Sequence, residues 1–260
     1  MTIKDVFKPE KIGDTLHTPF NVSTQLTETK VLLSVPAISI LKGKMSVNTI
    51  ANVNKYLETV NDNSADSLLV ANISGDQSNL DLKHPLMTGF YEEILHGCCT
   101  YQNFMSRKII DVSSERRTML LAGCWSVKMN PHDYNPMHIH HTDSRNGLAT
   151  ICYTKVPEHI RQDALNSESQ ELGFGNGKCI RDGLLQFNWD SQNTTVYNDY
   201  FPADHRVIIP TVGDYYVFPT WLNHLVYPYR GNGNSNNQRW SVQTNFNVYT
   251  DEELKLRNLL

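Results

Sequence analysis

Gly213-Asp214-Tyr215-Tyr216-Val217-Phe218-Pro219-Thr220-Trp221-Leu222-Asn223-His224 holds a turn, a strand, a break and the opening of a second strand. Gly-Asp makes the turn, and the aromatic and β-branched run after it favours extended chain. Phe218-Pro219 ends the run, because proline has no N–H for a ladder. The same texture fills the chain from residue 116 onward. Strands are expected at 118–128, 135–140, 148–155, 184–189, 206–210, 214–218, 224–229 and 238–249. Eight short strands separated by Gly, Pro, Asn and Asp turns predict a sandwich, jelly roll or barrel. Upstream the pattern is different. The first 30 residues are polar and read as a loosely structured lead-in. A short strand is expected at 31–35 and another at 68–71. A helix capped by Ser46 is expected over about 47–60, and a second helix from near Pro85 to about Arg107. The fold class expected is mainly β with flanking helices. Residues 1–115 form a helical and mixed portion packed on a core of residues 116–260, together one compact domain.

Composition narrows the function classes. The chain has 260 residues, 40% hydrophobic and 19% charged, enough for a substantial core. Its net charge of −4 argues against a general electrostatic nucleic-acid binder. No apolar run approaches the ~18 residues of a membrane span. The opening Met1-Thr2-Ile3-Lys4-Asp5 leads into no apolar segment, so no signal peptide is expected. Five cysteines without a Cys-x-x-Cys pair suit a reducing cytosol better than a disulfide scaffold or a cysteine zinc site. Cys124 and Cys152 read as small buried hydrophobes. Trp125, Trp189 and Trp221 read as core.

Four of the ten histidines fall between residues 132 and 141. Residues two apart on a strand share a face, so His138 and His140 aim their imidazoles into one space. His141 and Asp143 form an overlapping pair of the same kind, ending in a carboxylate. A third ligand has to come from far along the chain, and His224 at the opening of its strand is the best candidate. Neutral imidazole suits Fe(II), Cu, Ni and Zn alike. Fifteen residues after His224, Arg239 and Ser241 share a strand face. A guanidinium clamps a carboxylate through two hydrogen bonds, and a hydroxyl adds a third. Each feature has a plainer reading. The histidines are equally a solvent-facing patch, and Arg239 an ordinary ion-pairing arginine. Tyr134, Tyr153 and Tyr215 are equally core aromatics, and Asn223 and Asn245 are simply polar residues near the inferred site.

Four pieces in order carry a resemblance. They are Asp133-Tyr134-Asn135-Pro136-Met137-His138-Ile139-His140, then 148–158, then Gly213-Asp214 with Phe218–His224, then Arg239-Trp240-Ser241 with Asn245-Phe246-Asn247. Together they span about residues 125–250, and the first 110 residues contribute nothing. The chain resembles the Fe(II)/2-oxoglutarate-dependent oxygenases, and among them the prolyl-hydroxylase-like members from marine bacteria and their phages. The resemblance implies a double-stranded β-helix, the jelly-roll or cupin-like core, with helices on one side. It implies Fe(II) held by three side chains, 2-oxoglutarate chelating the iron, and O2 as cosubstrate. Arg239 with Ser241 would hold the distal carboxylate, with Tyr153 a candidate to assist. The reaction implied is hydroxylation of a C–H bond with release of succinate and CO2. The setting implied is a bacterial cytosol or a phage-infected host cell.

The family's usual pattern is His-x-Asp followed by a distant His, and this chain departs from it. Matching through Tyr134-Asn135-Pro136-Met137 gives His138, His140 and His224, with no carboxylate. Matching back from Tyr153 gives His141, Asp143 and His224. The first match is longer. A cupin-type metal dioxygenase or isomerase that does not use 2-oxoglutarate also fits three histidines, and a non-catalytic jelly-roll binding protein needs none of them. The substrate is left as a small molecule or a protein side chain. The stretches 158–182 and 188–204 are candidates for a lid and a substrate entrance. Oligomeric state is left open, a homodimer being one option.

Overall fold

A computed structural model describes residues 10–12, 15–19, 30–35, 38–65, 70–108, 117–144, 146–162, 181–189, 205–231 and 237–259. Most of the expected lid, most of the expected entrance and the centre of the Asn-rich 231–237 loop lie outside them. In chain order the strands are β1 (Glu10–Ile12), β2 (Thr15–Pro19), β3 (Lys30–Val35), β4 (Ile38–Lys44), β5 (Asp76–Asn79), β6 (Arg117–Met129), β7 (Asn135–His138), β8 (Leu148–Lys155), β9 (Leu185–Asn188), β10 (His205–Ile208), β11 (Asp214–Pro219), β12 (Asn223–Val226) and β13 (Arg239–Thr250). The helices are α1 (Val47–Leu57), α2 (Thr88–Lys108) and α3 (Asp251–Leu256).

From β6 onward the chain alternates between two antiparallel sheets. One contains β6-β13-β8-β11 as neighbours, and the other is ordered β10-β9-β12-β7. Apart from β9 and β10, which pair with each other in the second sheet, consecutive strands cross from sheet to sheet, which is the winding of a double-stranded β-helix. The strands before residue 115 extend the larger sheet. β4 and β3 add beyond β11, while β2 with β1, and β5 further along, line the outer edge of β6.

The sequence explains the central elements. β8 is an almost unbroken apolar run and is buried on both faces. Leu148 and Cys152 point to the helices, whereas Ala149, Ile151 and Tyr153 point to the second sheet. β13 separates its two faces more sharply. Val242, Phe246 and Val248 pack under α1 and α2 with Val53, Leu57, Phe90 and Ile94. The alternate residues Arg239, Ser241, Gln243 and Asn245 face the space between the sheets. Ser46 caps α1 as expected, its Oγ accepting from the Thr49 N–H. In α2, Phe90, Ile94, Cys98 and Tyr101 form the buried stripe.

Several expectations need correction. The first 30 residues carry β1 and β2 rather than only a loose lead-in. Their few residues show no clear alternation, and backbone pairing to β6 organises them. β4 was not foreseen, and neither was β5, whose Asp-Gln-Ser-Asn sequence carries no apolar period. β5 is buried because Asp76 pairs with Lys128 at 3.2 Å and Ser78 Oγ donates to Asp76 at 2.7 Å. α2 begins at Thr88 after a run of turns, three residues later than Pro85. The expected strand at 68–71 falls partly outside the described residues, and residues 70–71 are not in a strand. Trp221 is not core. It sits in the turn between β11 and β12 and is exposed. Among the described residues, no helix is long and apolar enough to cross a membrane.

Candidate metal centre

β7 and β12 lie side by side with His138 directly opposite His224. The chain leaves β7 after His138, and the backbone N–H of His140 donates to Thr220 O at 2.9 Å. This returns the His140 ring to the same space. The nearest ring nitrogens of His138, His140 and His224 all lie within 4.8 Å of one another. His224 is buried and the other two are half-buried.

One nitrogen of each ring is already committed. Nδ1 of His138 meets Pro136 O at 2.7 Å, Nδ1 of His224 meets Leu222 O at 2.8 Å, and Nδ1 of His140 meets Asn245 Oδ1 at 2.6 Å. All three partners are acceptors, so each Nδ1 carries the proton and each Nε2 keeps a lone pair. Two of these lone-pair nitrogens, on His140 and His224, are 3.2 Å apart. With no proton between them they repel, and a cation bound by both removes the repulsion. This is the outer-shell arrangement that fixes metal-ligating imidazoles. Burial holds all three rings below their ordinary pKa, His140 down to about 4, with the neighbouring rings adding to the effect on His224. The ligand set is therefore neutral at pH 7 and fits a divalent cation.

His141 and Asp143 are exposed and lie outside this cluster. The backbone carbonyl of Asp143 accepts from Arg257 Nη2 at 2.7 Å. A cavity of about 730 Å³ opens over the three histidines, between Trp125, Ile139 and Leu185. Trp125 stands 5.6 Å from the His140 ring, centroid to centroid. Among the described residues lining the cavity there is no Asp, Glu, Lys or Arg.

The inner face of β13 runs away from the histidines as a polar stripe. Asn245 lies between Gly123 and Ala149, Gln243 between Trp125 and Ile151, and Ser241 between Val127 and Tyr153. Arg239 ends the row. It is 1% exposed, and its Nη1 donates to Gly183 O at 2.7 Å. Its guanidinium lies 5.2 Å from the centre of the Tyr153 ring. Its Nε and the Tyr153 hydroxyl are both buried without a hydrogen-bond partner among the described residues. No carboxylate among the described residues pairs with this arginine, and burial lowers its pKa. The Tyr153 hydroxyl is raised to about 12, again by burial. A buried guanidinium and a buried hydroxyl, both with unused donors, fit an anion. Ser241 Oγ accepts from Gln243 Nε2 at 2.8 Å. Sequence reasoning reached Arg239, Ser241 and Tyr153 but left Asn245 undecided. The signal for Asn245 was its place in the same odd-numbered row.

Residues 123–245 match the family model described as "Putative 2OG-Fe(II) oxygenase". This stretch is similar to that oxygenase family. It contains all three clustered histidines and Arg239. No curated protein matches the chain. Among solved structures, a Pseudomonas putida prolyl-4-hydroxylase is 12% identical, with 81% of this chain and 93% of that one covered and a TM-score of 0.45. A Trichoplax adhaerens prolyl hydroxylase, in complex with a hypoxia inducible factor peptide fragment, is 13% identical, covering 84% and 86% with a TM-score of 0.47. HygX from Streptomyces hygroscopicus, with nickel and 2-oxoglutarate bound, is 10% identical, covering 80% and 81% with a TM-score of 0.44. At these values the likeness assigns no role to any residue of this chain.

Proposed function

We propose that the chain is an Fe(II)- and 2-oxoglutarate-dependent oxygenase that hydroxylates a C–H bond. One observation supports this most. Three imidazoles with their Nδ1 protons tied back share a fold with a buried arginine that has no carboxylate partner among the described residues. His138, His140 and His224 would hold the iron. Arg239, with Ser241 and Tyr153, would hold the distal carboxylate of 2-oxoglutarate. Fe(II) with 2-oxoglutarate and O2 supplies the oxidation, in which one oxygen atom enters the substrate C–H bond and the other enters succinate as CO2 leaves.

The chain's own residues do the rest. The Nδ1 hydrogen bonds orient three neutral ligands and leave the remaining metal positions to the cosubstrates. The apolar walls of Leu185, Phe218 and Val226 keep water from the reacting centre. The uncharged lining suits an uncharged portion of a small molecule or a protein side chain. A cupin-type dioxygenase would use the histidines and leave Arg239 idle, so the arginine separates the two readings.

The test is succinate formation from 2-oxoglutarate by the purified protein. Turnover should require Fe(II) and be lost in His138→Ala, His140→Ala and His224→Ala, but kept in His141→Ala and Asp143→Ala. Turnover lost in the last two and kept in His138→Ala and His140→Ala would contradict this ligand set.

A further inference from the structure

We propose that Asn245 is a positioning residue of the metal centre. Its carboxamide oxygen holds His140 in the tautomer that presents Nε2 as a ligand. The proposal rests on reading His138, His140 and His224 as the ligand set.

The three histidines are not anchored alike. His138 and His224 each direct Nδ1 to the backbone carbonyl two residues earlier in the chain, Pro136 and Leu222. Those acceptors belong to the backbone and come with the local chain path. His140 lies past the end of β7, and its Nδ1 reaches across to a side chain on β13, Asn245 Oδ1 at 2.6 Å. Its tautomer therefore depends on one replaceable residue.

The surroundings fit that role. Asn245 is flanked in the sheet by Gly123 and Ala149, the smallest inward-facing pair along this strand. Larger neighbours would fill the space where the carboxamide and the His140 ring meet. β6 carries one extra residue here, since Gly123 and Leu121 oppose consecutive residues of β13 and Ala122 opposes none. Such bulges re-aim side chains at sites.

A competing state gives the hydrogen bond its importance. His140 Nε2 lies 3.2 Å from His224 Nε2. Without Asn245, the ring gains most by moving its proton to Nε2 and donating it to His224. That tautomer removes two ligand lone pairs at once. Asn245 occupies the Nδ1 proton and keeps both free.

The test uses the full chain labelled with ¹⁵N-histidine, together with Co(II) as the metal probe. In metal-free wild-type protein, long-range ¹H–¹⁵N spectra should show His140 protonated at Nδ1. In Asn245→Ala and in the similarly shaped Asn245→Leu, the proton should move to Nε2. Co(II) affinity should fall about 10- to 100-fold, the range seen on loss of such partners, with the circular dichroism spectrum unchanged. Asn245→Asp, which keeps the acceptor, should bind Co(II) at least as tightly as wild type. Wild-type affinity and the Nδ1–H tautomer in the Ala and Leu variants would overturn the proposal. Should neither variant fold, an Nε2–H tautomer in the wild-type protein would overturn it alone. A wild-type protein that holds the Nδ1–H tautomer yet takes up no Co(II) would overturn instead the ligand reading on which the proposal rests.

Discussion

At Arg239, stability and function pull in opposite directions. A guanidinium without a carboxylate partner inside a protein costs free energy, and an apolar residue of similar length does not. Arg239→Met should therefore leave the melting temperature of the ligand-free protein unchanged or higher, while 2-oxoglutarate no longer raises it. In wild-type protein loaded with a redox-inert metal, saturating 2-oxoglutarate at about a hundred times its Kd should add about 2.7 kcal/mol of stability. A thermal-shift series over both proteins checks this. A variant that melts well below wild type, or still responds to 2-oxoglutarate, would contradict it. At this scale the sequence was informative but ambiguous. The period of two picks out His138 with His140 and His141 with Asp143 equally well. What separates them in space is the point where β7 ends and the hydrogen bond from His140 N to Thr220 O. Neither leaves a mark on the local pattern.

At the scale of elements, the tightest fit of α2 on the sheet is around one ring. Tyr215 of β11 is buried between Gly43 of β4 and Gly97 of α2, and a methyl group added at Gly97 would lie 2.6 Å from its Cε2. Gly97→Ala should cost about 1–3 kcal/mol by overpacking, a loss of several degrees in melting temperature. Co(II) affinity should not change, because Tyr215 belongs to the helix-side core. An unshifted melting curve would show that the ring has room to move. The elements legible in advance were the apolar runs of β8 and β11, buried on both faces, and those whose burial follows a period, such as β13 and the buried stripe of α2. The others are held by something the period does not record. β5 is buried through an ion pair, while β1 and β2 attach by backbone pairing at an edge.

For the whole molecule, the double winding brings strands about 85 to 115 residues apart in sequence, β7 with β12 and β13, around one cavity. That closure makes the metal-free protein sensitive to acid. All three histidine rings are held below their ordinary pKa by burial, His140 to about 4. An unfolded histidine titrates near 6.5, so below that pH the unfolded chain binds protons that the folded chain does not. Stability should be full above pH 6.5 and fall as the pH drops toward 4. Melting temperatures of the EDTA-treated protein between pH 7.5 and 5 check the sign, and His140→Gln should flatten the curve. A wild-type curve that is level or rises toward acid would contradict it. The same arrangement sets up the most direct test of the oxygenase reading, an anaerobic absorption titration with Fe(II) and then 2-oxoglutarate. The account predicts a weak visible charge-transfer band that needs both additions and is absent in His224→Ala and Arg239→Met. No band in the wild-type protein with both present, or an undiminished band in Arg239→Met, would contradict it.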